Sequence, residues 1–76
     1  MNKEEFLNDL QDVLQRDDIC NENDLLESYD EWDSLSKMSV MAYYRKNFSI
    51  NMSLNDFEKF IHVSDLIDFA GDQVKC

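Results

Sequence analysis

Apolar residues recur through the first part of the chain at the spacing of one helical face. In KEEFLNDLQDVLQ, residues 3–15, Phe6, Leu7, Leu10, Val13 and Leu14 fall at offsets 0, 1, 4, 7 and 8, which predicts an amphipathic helix. Asn2 stands where an N-cap belongs, and Glu5 follows three residues later, the spacing of a capping box. The signal returns in SLSKMSVMAYYRKNF, residues 34–48. There Leu35, Met38, Met41, Ala42, Phe48 and one or both of Tyr43 and Tyr44 form a broad apolar stripe that Val40 widens. In HVSDLIDFAGDQV, residues 62–74, Val63, Leu66, Ile67 and Ala70 lie at offsets 0, 3, 4 and 7 and predict a last helix, frayed or ended at Gly71. Residues 49–55 read as a loop, and DFEKF at 56–60 is long enough for one short turn of helix.

The stretch RDDICNENDLLESYDEWD, residues 16–33, has no sustained period. A loop of that length in a compact domain has to be anchored or functional. Ile19, Leu25, Leu26, Tyr29 and Trp32 are the expected anchors, with Leu25 and Leu26 forming one helical turn. The expected fold class is therefore all-α: three main helices, one short helix and a long first loop, in a single domain over 1–76. Phe6, Leu10, Val40, Met41, Tyr44, Phe48, Met52, Val63, Leu66 and Ile67 are expected to line the bundle.

Composition agrees with helices. The chain has 1 Gly and no Pro, so tight hairpin turns have little to be made from. Its 43% apolar content is too high for disorder. A chain of 76 residues makes a thin core, burying only about 60% of its unfolded surface.

Charge narrows the function. The net charge is −10, from 17 acids and 7 bases, which argues against nucleic acid and anionic membrane surfaces as direct ligands and favours a partner with a basic patch. The distribution is uneven. Residues 1–33 hold 12 acids and 2 bases, and residues 34–76 hold 5 of each, with the break at Ser34. No apolar run approaches the ~20 residues of a membrane span, and MNKEEFLNDL has no signal-peptide core. The expectation is a cytoplasmic monomer without membrane insertion, with Cys20 and Cys76 as reduced thiols.

Several chemistries are excluded. One His and two distant Cys cannot supply a zinc site. A calcium loop from Asp18 would put Asn23 where Gly is needed and Tyr29 where Glu is needed. One glycine makes no phosphate-binding loop. Ser34 and His62 make a hydrolase only on paper, because no G-x-S-x-G elbow supports them. No metal site and no catalytic residue are expected, so the chain is not read as an enzyme.

Asp33-Ser34-Leu35 opens the second helix directly after the long acidic loop; a loop, a short helix and a last helix near Val63 follow. With this length and charge, the chain resembles an acyl carrier protein, a four-helix bundle with a D-S-L attachment motif. The resemblance covers nearly the whole chain and runs without a gap from Asp33 to Ala70. It implies a 4′-phosphopantetheine arm on Ser34, transferred from coenzyme A by a phosphopantetheinyl transferase (a holo-carrier synthase) with Mg²⁺. The arm's thiol would carry acyl groups as thioesters to acyl-activating, acyltransferase or condensing enzymes. A serine at a helix start lies where backbone N–H groups and the helix dipole favour a phosphate. Serine and aspartate are also ordinary caps, and the two roles are compatible, with Asp33 as the cap and Ser34 as the carrier of the arm. Leu35 and Met38 are expected to flank the arm and meet partner enzymes, with Asp30, Glu31 and Lys37 nearby in the same role.

The chain departs from the family pattern in specific places. Glu31 and Trp32 stand where glycine or a small residue is usual before the motif. The helix over Ser34–Phe48 has no acid and carries Lys37, Arg45 and Lys46, with Ser36 and Ser39 where acids are usual. Tyr43 and Tyr44 are bulky for any acyl cavity. These departures point to a dedicated carrier rather than a general fatty-acid-synthesis one. Two other readings stand beside it: an unmodified acidic helical adaptor that docks on a basic protein, and an aminoacyl or peptidyl carrier, which shares the chemistry and differs in cargo.

Overall fold

A computed structural model of the protein describes residues 1–74. Cys76 lies outside them. Four α-helices form among the described residues: α1, Lys3–Leu14; α2, Ser34–Phe48; α3, Leu54–Phe57; and α4, Val63–Ala70. Single 3₁₀ turns cover Leu26–Ser28 and Gly71–Gln73. The molecule is all-α and measures 28 × 25 × 19 Å.

Local chemistry sets the helix ends. At α1 the Asn2 side chain accepts from the Glu5 N–H at 2.8 Å, and the Glu5 carboxylate takes the Asn2 N–H in return, the reciprocal pairing of a capping box. Gln15 ends the helix in the left-handed conformation. At α4 the Asp65 carboxylate accepts the N–H groups of Ile61 and His62 at 2.8 and 2.9 Å. These bonds hold Asp65 below the ordinary carboxylate range, with the His62 N–H the largest cause.

The three longer helices meet around aromatic rings. Phe6 of α1 and Tyr44 of α2 are fully buried, with ring centroids 6.1 Å apart in an edge arrangement. Phe48 closes the group 5.1 Å from Tyr44. The Tyr44 hydroxyl donates to the Leu66 carbonyl and so links α2 to α4. Leu10, Leu14, Val40, Val63, Leu66 and Ile67 fill the rest of the core. Of the residues expected to line it, Met41 is only half-buried and packs against its edge.

Two expectations need correction. Ile19 and Leu25 do not anchor the long loop: both are about half exposed, and the loop's buried residues are Cys20, Leu26 and Tyr29. The short helix begins two residues before 56 and ends at Phe57, because the Asp56 carboxylate accepts the Ser53 N–H at 2.9 Å and starts the turn there. The last α-helix stops at Ala70, in keeping with the expected end at Gly71, whose φ of 64° a helix does not allow.

The loop is held by a cluster of its own polar groups. The Arg16 guanidinium lies 3.7 Å from the Tyr29 ring centroid and donates to the Glu31 carboxylate at 2.9 Å. The Tyr29 hydroxyl donates to Asp24 at 2.7 Å. Backbone bonds then tie the loop to the link before α4: the Leu26 N–H donates to Ile61 O at 2.9 Å, and the N–H groups of Val63 and Ser64 donate to Asp24 and Glu22 carbonyls at 3.0 and 2.9 Å. Leu25 and His62 form an isolated antiparallel bridge within this contact. No helix among the described residues is long and apolar enough to cross a membrane.

Candidate functional site

Ser34 is the first residue of α2 and is exposed. Asp33 precedes it in an extended conformation, and its carboxylate accepts the Ser36 N–H at 2.8 Å. That bond, the largest cause, holds the Asp33 carboxyl below its ordinary range. The aspartate therefore caps the helix, and the Ser34 hydroxyl makes no capping bond. The Ser34 and Leu35 N–H groups belong to the first turn, which has no intrahelical acceptors for them.

Ser34 stands on the wall of a cleft of about 730 Å³. Trp32 and Phe57 line it with ring centroids 5.6 Å apart, and Phe60 continues the row 5.5 Å from Phe57. Leu25, Leu54 and Ile61 add exposed apolar side chains, and Glu27, Lys37 and Glu58 supply the charges. Three separate segments make this wall: the loop after α1, the start of α2, and α3 with the link beyond it. The backbone bonds between Leu26, Ile61 and Val63 hold the first against the third.

The other expected site residues divide by place. Leu35 is 74% exposed and Met38 59% exposed, on the outer face of α2. Ala42, Arg45 and Lys46 continue along the exposed side toward the helix C-terminus, where cations also complement the helix dipole. Asp30 is exposed in the loop. Glu31 is not a free surface acid, because it is paired with Arg16. Lys37 is half-buried, with its ammonium 5.6 Å from the Trp32 ring centroid, and it faces the cleft rather than the outer surface.

Sequence reasoning missed the aromatic row and the carboxylates beside it. Phe57 and Phe60 are three residues apart, a spacing that puts both on one side of a helical turn. Trp32 comes from elsewhere in the chain, and no local pattern announces that it joins them. His62 is exposed. No cluster of three or more metal-ligating side chains forms among the described residues.

Comparison with protein families, with curated proteins and with solved structures gives no match for this chain.

Proposed function

We propose that this protein carries acyl or related groups as thioesters on a 4′-phosphopantetheine arm attached to Ser34, in an acyl-carrier-like four-helix bundle. The supporting observation is the division of labour at the start of α2. Asp33 does the capping, so Ser34 is left with an exposed hydroxyl at the first turn of α2 and over a cleft.

The residues present fit such a group. A phosphodiester on Ser34 would meet the first-turn N–H groups of α2, and Lys37, one turn on, would supply a cation. The arm contributes a terminal thiol that holds cargo as a thioester. In the attachment step the Ser34 Oγ bonds to the β-phosphorus of coenzyme A, and the bond from that phosphorus to the bridging oxygen breaks. 3′,5′-ADP leaves, and the serine proton passes to a base of the transferase. The chain's own part is to present the hydroxyl and to receive the charge.

Intact mass after incubation with coenzyme A, Mg²⁺ and a broad-specificity phosphopantetheinyl transferase tests the proposal. The wild type should gain one phosphopantetheinyl group, and Ser34→Ala should gain none. A wild type of unchanged mass would favour the unmodified adaptor instead.

A further inference from the structure

The bundle interior and the cleft beside Ser34 differ in what they accept. Inside, the fully buried Tyr44 ring packs against Phe6 and Phe48, and its hydroxyl donates to the Leu66 carbonyl of α4. Parting α2 from α4 to admit an alkyl chain would separate that donor and acceptor where no water replaces either. Long-chain cargo is therefore poorly served by the core.

Outside, the cleft has an aromatic lining, three exposed apolar side chains and an uneven charge. Lys37 is its cation, and Glu27 and Glu58 are its two carboxylates. Neither carboxylate has a salt-bridge partner among the described residues. A phosphodiester on Ser34 takes up the charge of Lys37 and leaves the two carboxylates unbalanced. The half-buried rings of Trp32 and Phe60 offer apolar surface to the cleft, with Phe57 packed behind them.

We propose that this cleft receives a small aminoacyl group, its ammonium toward Glu27 and Glu58 and its apolar side chain on the Trp32–Phe57–Phe60 row, in preference to carboxylated or long-chain acyl groups. A malonyl carboxylate would meet like charge there, which works against it. An octanoyl chain brings no cation to the two carboxylates. This inference rests on the carrier reading and names the cargo of that site.

The test loads the full chain with valyl, malonyl or octanoyl arms from the corresponding coenzyme A thioesters. Each thioester's hydrolysis is then compared with that of the same thioester on free pantetheine. Trp32, the sole tryptophan, reports contact through its emission. The valyl thioester should be protected roughly twofold to fivefold, the scale of a solvent-exposed charge pair, and should shift Trp32 emission. Malonyl and octanoyl thioesters should hydrolyse at the free rate. The double variant Glu27→Gln/Glu58→Gln, with its fold checked by circular dichroism, should lose the valyl protection and still accept the arm. Equal protection of all three cargoes, greatest protection of octanoyl, or valyl protection that survives the double variant would each overturn the cargo assignment and leave the carrier intact. A wild type that gains no arm would overturn the carrier reading and this inference with it.

Discussion

The Asp33 carboxylate accepts the Ser36 backbone N–H at 2.8 Å, so the residue before the serine does the work that the serine itself would do in an ordinary cap. Two helix-start residues that compete on paper thus have separate places. Removing the Ser34 hydroxyl should leave the helix start intact. Ser34→Ala is expected to melt with the wild type, whereas Asp33→Ala should melt lower, since loss of an N-cap acceptor destabilises a helix. Thermal unfolding followed at 222 nm compares the two. A Ser34→Ala loss as large as that of Asp33→Ala would show that the serine is structural.

A second expectation concerns the long loop. Arg16 is held by the Tyr29 ring and by Glu31, with its own side chain only 14% exposed. Arg16→Met keeps much of the stem and removes the charge, and should cost about 1–2 kcal/mol, the range of a partly desolvated cation–π contact. Hydrogen exchange should rise through residues 20–31 and at Val63 and Ser64, whose N–H groups donate to loop carbonyls, and stay unchanged in the rest of α4. Uniform loosening of the whole chain would mean that the cluster is not a local clamp.

The response to alkali follows from the buried phenols and thiol. Burial pushes the Cys20 thiol above its usual 9.0. Burial also pushes Tyr29, Tyr43 and Tyr44 well above 10.0, helped at Tyr29 by the bond to Asp24 and at Tyr43 by the bond to Asp9. In each case the folded state keeps a proton that the unfolded state releases. Their contribution to stability is complete below the unfolded values and is lost as pH rises through the folded ones. The melting temperature should therefore decline once pH passes about 9 to 10. Tyrosine absorbance at 295 nm should rise together with unfolding rather than before it. Phenol ionisation in a chain that remains folded would count against this account.

The outer face of α2 predicts partner charge. Leu35 and Met38 lie exposed near Ser34, and Arg45 and Lys46 lie exposed further along. A partner that docks along this face meets positive charge, although the whole chain is strongly negative. Arg45→Glu/Lys46→Glu should therefore slow the cognate enzyme and speed malonyl transfer by enzymes with basic docking surfaces, more at low salt than at high salt. Stopped-flow or quench measurements of transfer onto the arm at two ionic strengths decide it. If the wild type already serves such enzymes as well as a general carrier at low salt, the dedicated-partner reading fails.

The helices were legible from local pattern, and the cleft was not. Phe6, Leu10 and Leu14 repeat along one face, as do Val40, Tyr44 and Phe48, so the chain's own period marks the sides of α1 and α2 that become the core. The start of α2 was legible too, because Asp33 and Ser34 are both helix-start residues in front of an apolar stripe. Which of them caps was decided by the backbone, extended at Asp33 and helical from Ser34. Residues 16–33 carry no period, so their burial depends on contacts with distant parts of the chain. Cys20 goes inside and Ile19 stays out although isoleucine is the larger apolar side chain, because the clamp of Arg16 on Tyr29 and the bonds from Leu26 to Ile61 and from Val63 to Asp24 fix the loop's path. The same long-range bonds bring Trp32 against Phe57, twenty-five residues away in the chain, and so create the cleft beside Ser34. Period encodes the face of a single helix, whereas a wall built from three segments exists only once those segments have met.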